Sequence, residues 1–140
     1  MSTFLINASN LKNGGGLQVA DSICGQLNRF PHHYFIVVLS TFLDSTAIRI
    51  KEYNNVKVIT YNIPDSINSI ILGRDRLLDG LVQHYAVDVV ITVFGPSRWR
   101  PRVPHLSGFA LSQLVIPESP FFERMKKSDR LKWFLWRKIR

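Results

Sequence analysis

Along this chain the apolar residues switch between short continuous runs and helical spacing, and that alternation lays out the elements. The first run, Phe4-Leu5-Ile6, predicts a strand, and a polar turn follows from Asn7 to Asn13. Three glycines come next in a row, Gly14, Gly15 and Gly16. Behind them Leu17, Ala20, Ile23, Cys24 and Leu27 recur at three- and four-residue steps, the signature of one helix face. Tyr34 to Ser40 (YFIVVLS) is β-branched and aromatic and predicts a buried strand, with Pro31 punctuating its approach. Thr41 to Asn55 is mixed, a short helix or an irregular crossover. Val56 to Tyr61 (VKVITY) predicts a third strand. Pro64-Asp65-Ser66 then stops the strand and offers a cap for a helix carrying Ile67, Ile70, Ile71, Leu77, Leu78, Leu81, Val82 and Tyr85. Arg74 falls on that apolar face, where an arginine either extends to the rim or points into a site. Val89 to Phe94 (VVITVF) is the clearest buried strand, and Gly108 to Ile116 predicts another, closed by Pro117.

Strands written as near-continuous apolar runs and alternating with helices specify an α/β fold: a parallel sheet with helices on both faces. In such a sheet a ligand binds beyond the carboxyl ends of the strands. Two loops are expected to meet there, one holding Gly14 to Gly16 and one running from Gly95 to His105. The first ends at a helix N-terminus, whose free N–H groups and positive dipole suit phosphate. A tight turn without a ligand is the plain alternative. No Gly-Lys-Ser/Thr follows, so this is no Walker A loop, and Gln18 and Val19 break the spaced dinucleotide fingerprint. The second loop is stiffened by Pro96, Pro101 and Pro104 and carries Arg98, Arg100 and Arg102 in alternation. In an extended segment those three share a face, either binding phosphate or simply solvated. Trp99 is a stacking platform for a sugar ring or a pin holding the loop to the body. His105 is a general base or hydroxyl-orienting group, or a loop imidazole satisfied by its own backbone. A phosphorylated or polyhydroxyl ligand suits the pair of loops.

Composition narrows the classes. With 140 residues, 46% hydrophobic and 20% charged, the chain can build a domain with a core. No apolar run approaches the roughly 20 residues that cross a bilayer, and the N-terminus has no secretory pattern. One cysteine, Cys24, lies on the apolar helix stripe and is expected to be core. A cytoplasmic setting fits. No histidine pair or carboxylate cluster has metal-ligand spacing, so no metal is expected. No Ser-His-Asp or Cys-His arrangement stands out. Asp88 is expected to set a turn, His32 and His33 to lie on the surface, and His84 to end a helix. Net charge is +8, and residues 122–140 hold eight basic and two acidic side chains, a surplus of six. Together with Phe121, Phe122, Leu131, Trp133, Phe134, Leu135 and Trp136, that makes a basic amphipathic tail suited to an acidic surface, anionic lipid or nucleic acid.

The stretches INASNLKNGGGLQVA and VDVVITVFGPSRWRPRVPHLSGFA resemble the N-terminal half of a GT-B glycosyltransferase, close to glycosyltransferase family 4. They cover about a third of the chain. The resemblance implies a Rossmann-like domain over residues 1–117, one half of a GT-B fold. It implies that Gly14, Gly15 and Gly16 contact the diphosphate of a nucleotide-sugar donor. Ser97, Trp99, Arg100, Arg102 and His105 become the candidates for a sugar or lipid-linked acceptor, with no catalytic residue assigned. No cofactor is implied beyond the donor itself. Transfer with retention is expected, by front-face attack, which needs stabilisation of the departing diphosphate more than a strong protein base. Residues 118–140 would lead to a C-terminal donor-binding domain that this chain lacks, so the isolated chain is expected not to turn over. The tail then either lies on an anionic membrane surface, making the enzyme peripheral on its inner face, or packs against the missing domain. The rival class is a basic binding module for nucleic acid or anionic membrane with no catalysis; the resemblance disfavours nucleic acid as partner. A nicotinamide-dependent oxidoreductase, a second rival, would need the spaced glycines and an acidic residue at the end of the second strand, and Asp44 stands too far along.

Overall fold

A computed structural model describes residues 1–62, 73–95 and 99–109. Its elements in chain order are β1 (Thr3–Ala8), α1 (Gly15–Cys24), β2 (Tyr34–Leu39), α2 (Asp44–Ile50), β3 (Val56–Thr60), α3 (Arg76–His84), β4 (Val89–Gly95) and β5 (His105–Phe109). The chain divides into two units, Met1–Gly108 and Phe109–Arg140, and all but the last residue of β5 lies in the first.

The fold is α/β, with five parallel strands in the order β3-β2-β1-β4-β5 flanked by helices. β1 is the centre of the sheet. Leu5 pairs with Ile36 of β2 and Val90 of β4, and Ile6 with Val37 and Ile91. A central parallel strand is covered on both faces, so it must be apolar at every position rather than at alternate ones. On one face Ile6, Ala8, Val37 and Leu39 pack with Ala20 and Cys24 of α1 and Ile50 of α2. On the other, Leu5, Ile36, Val38 and Val90 pack with Leu78 of α3, Val87 and Trp99. The amino ends of β1 and β4 are clasped: Thr3 N donates to Asp88 Oδ2 at 2.8 Å and Asp88 N donates to Thr3 O at 2.9 Å. Asp88 thus sets the strand entry, as its position suggests.

Asn7 and Ala8 belong to β1 rather than to the polar turn, because both pair with β2. Two further boundaries differ from the periodicity. In the described residues the third helix begins at Arg76, behind Gly73 at φ 61°. Its cap is Asp75, whose side chain accepts from Leu78 N. The expected start at Pro64 to Ser66 lies outside the described residues. The fifth strand begins at His105, three residues before Gly108, because the chain after Pro104 is already paired with β4: Val90 N donates to Pro104 O at 2.9 Å. Residues 110–116 of that predicted strand lie outside the described residues, as do Pro117 and the tail 118–140. The ambiguous stretch after β2 resolves into a 3-10 turn, Thr41–Leu43, running into α2. Among the described residues no helix is long and apolar enough to cross a membrane.

Candidate functional site at the carboxyl edge of the sheet

The chain leaves β1 for β2 on one side and returns to β4 on the other. The loops after β1 and β4 therefore diverge, and a parallel sheet opens its crevice at that point. The glycine loop lies there. Asn10 Nδ2 donates to Phe94 O at 2.7 Å, tying the loop to the end of β4. The three glycines have different surroundings. Gly14 precedes α1 at φ 73° and ψ −163°, a combination open essentially to glycine alone. A Cβ on Gly14 or Gly15 would meet nothing within 4 Å, so both face open space. A Cβ on Gly16 would stand 3.2 Å from Leu11 Cδ2 and from Phe94 Cδ2, so this glycine lets the helix start pack against β4. Among the described residues no side chain caps α1. Its first-turn N–H groups, the positive end of the helix, thus rise behind a glycine turn that leaves room for a ligand.

Beneath the crevice the strand ends are polar and buried. Asn7, Ser9, Ser40 and Thr92 are each nearly or fully enclosed. Asn7 stands beside Thr92 in register. Asn7 Oδ1 accepts from Ser9 N at 3.2 Å and from Ser9 Oγ at 2.6 Å. Among the described residues Asn7 Nδ2 and Ser40 Oγ have no hydrogen-bond partner. The sequence pattern places Asn7 and Ser9 in a turn and Ser40 and Thr92 in strands, and gives none of them a role in a site. Their signal was a polar side chain inside an apolar strand run, Asn7 after Phe4-Leu5-Ile6 and Thr92 within VVITVF.

The second loop runs away from the crevice: Val90 N donates to Pro104 O at 2.9 Å, so Arg102, Val103 and His105 lie toward the amino end of β4. Ser97 and Arg98 lie outside the described residues. Trp99 is 2% exposed and belongs to the core on the α3 face, where its Nε1 donates to Asp79 Oδ1 at 3.0 Å. It pins the loop to the body, and a side chain so enclosed presents no face to a sugar ring here. The inward turn of Trp99 leaves Arg100 and Arg102 exposed, as alternation along an extended segment requires. Arg100 N donates to Gly73 O at 2.8 Å, placing this segment beside the entry to α3. Arg102 and Arg74 line one groove along α3 with Asp79, Val82, Gln83 and Val103. Arg74 also approaches Asp79 Oδ2 at 3.5 Å. His105 opens β5, with Nε2 at 2.9 Å from Thr92 Oγ1 in a shared hydrogen bond. Although the residue is exposed, partial desolvation of its ring lowers the pKa below the usual histidine value, so the imidazole is neutral at pH 7.

Other titrating groups are structural. Burial pushes the Cys24 thiol up to about 12, which makes it a poor nucleophile and confirms core packing. Tyr61 donates to Asp75 Oδ2 at 2.9 Å, and desolvation followed by that carboxylate pushes its hydroxyl up to about 12. Asp21 of α1 accepts from Thr46 Oγ1 and, at 2.7 Å, from Arg49 Nη2, joining α1 to α2. The Thr46 hydroxyl, then Arg49, outweigh desolvation and hold the Asp21 carboxyl below its usual range.

Set against known proteins, the chain matches no family model and no curated protein.

Proposed function

We propose that this chain is the acceptor-side half of a nucleotide-sugar-dependent glycosyltransferase, probing its donor's diphosphate with the glycine loop. The observation that carries the reading is Gly14. Its glycine-only backbone turns the chain into an uncapped helix N-terminus, with open space over Gly14 and Gly15, at the switch point of a parallel sheet. Backbone N–H groups there stabilise a departing diphosphate without any reorganisation. The acceptor is assigned to Ser97, Arg100, Arg102 and His105. The neutral imidazole of His105, already paired to Thr92, orients a hydroxyl rather than holding charge. Trp99 supports the loop from beneath. Donor sugar and base contacts belong to a second domain, and retention follows from front-face attack assisted by the leaving phosphate.

The test is nucleoside diphosphate binding to Gly15→Val. Gly15 has room for a side chain, so the variant should fold as the parent does. Its branched side chain fills the space above the N–H groups. Affinity should fall at least about tenfold, or about 1.4 kcal/mol. Equal binding by parent and variant would remove the phosphate role of the loop. The rival reading, a nucleic-acid module, predicts instead binding that weakens steeply with salt and ignores Gly15.

A further inference from the structure

We infer that the groove along α3 is a second anion site, one that takes a phosphate monoester carried on an apolar group. Arg74 precedes α3 and Arg102 belongs to the segment after β4, and the fold brings both to one groove. Among the described residues a single carboxylate, Asp79, lines the groove with the two guanidiniums. Asp79 is already divided, since it accepts from the Trp99 indole at 3.0 Å and meets Arg74 only at 3.5 Å. Arg102 has no carboxylate in ion-pair range among the described residues. The groove therefore carries excess positive charge and one loosely held arginine. Guanidinium forks bind phosphate oxygens in pairs, and a dianion competes better for Arg74 than a shared carboxylate does. The rest of the lining is Val82, Val87 and Val103, with the Gln83 amide alongside. Such a wall has nothing to offer a bare phosphate and much to offer an attached hydrocarbon. The inference deepens the acceptor role given to Arg102 and rests on that reading only for the ligand's place in a reaction; the binding itself is independent of the glycine loop.

The reporter is built in. Trp99 Nε1–H is bonded to Asp79, so an anion that draws Arg74 away from Asp79 changes the indole N–H resonance. That resonance is followed by nitrogen-resolved NMR of the whole chain, titrated separately with inorganic phosphate and with a short-chain alkyl phosphate. The alkyl phosphate should shift the Trp99 signal at concentrations about tenfold lower, the contribution of a few partly buried methylenes. Arg102→Gln, an exposed position, should weaken this at least about tenfold, and Arg74→Gln should do the same. Gly15→Val should leave it unchanged while weakening nucleoside diphosphate binding at least about tenfold, which separates this inference from the transferase reading. Phosphatidylcholine vesicles with and without phosphatidic acid distinguish the source. A shift with phosphatidic acid vesicles but not the soluble compound assigns a lipid headgroup, and a shift with the soluble compound assigns a free metabolite. No shift from either, a shift from phosphatidylcholine alone, or an unchanged response in Arg102→Gln overturns the inference.

Discussion

Asp21 sits on α1 and takes both of its polar partners from α2, 25 and 28 residues further along. Because its folded pKa lies below the unfolded value of about 3.9, the stabilisation is fully present above that pH. It is lost as pH falls through the folded pKa, when the carboxyl protonates in both states. Thr46→Val removes the larger of the two contacts without changing side-chain shape. It should cost about 1 kcal/mol at neutral pH, and the difference from the parent should shrink as pH falls below the unfolded carboxyl value of about 3.9. Urea midpoints at the two pH values measure it; a gap that stays constant on acidification would mean that Asp21 does not titrate through this bond. The cluster was invisible in the sequence, where Asp21 is one polar residue on a helix face and Thr46 lies in an ambiguous stretch. Cys24 was legible because burial follows from its place on an apolar stripe. The glycine run was legible as a loop, but not its division of labour. Only contacts distinguish Gly16, crowded by Leu11 and Phe94, from Gly15, which faces space.

At the scale of the element, α3 shows what periodicity can and cannot do. Leu77, Leu78, Leu81 and Val82 announce a helix, and Leu78 is indeed fully buried. Its start is not fixed by period; in the described residues Asp75 caps it, accepting from Leu78 N and from the Tyr61 hydroxyl. Its end is a six-to-one closure from Val87 N to Val82 O, with Ala86 at φ 47° where glycine is the usual residue. Inside the helix, Gly80 is exposed and a Cβ there would meet nothing within 4 Å. Gly80→Ala should therefore raise stability by about 0.5–1 kcal/mol through the lost freedom of the unfolded chain. Thermal melting would show it, and a drop in midpoint would mean that Gly80 contacts something the folded chain presents elsewhere.

For the whole molecule, the edge strand β5 depends on one atom that is missing. A Cβ on Gly108 would overlap the Val93 carbonyl oxygen. Gly108→Ala must push β5 off β4 and should cost about 3 kcal/mol, while Ser107→Ala, exposed on the same strand, should be close to neutral. Denaturant unfolding of the pair tests it, and equal stabilities would mean that β5 is not seated as described. The sequence by itself determined the α/β class, the strands of the described residues to within a few positions, the helix behind the glycines, and a glycine loop at the carboxyl edge. These rest on continuous apolar runs, on the helical period of 3.6 and on backbone freedom, all of them local properties. Tertiary structure alone decided that Trp99 turns into the core, that Arg74 and Arg102 share a groove, and that Asn7 and Thr92 stand side by side under the crevice. Those facts depend on strand order and on which way a connecting segment crosses the sheet. Both are set by contacts between residues far apart in the chain, where local pattern carries no information.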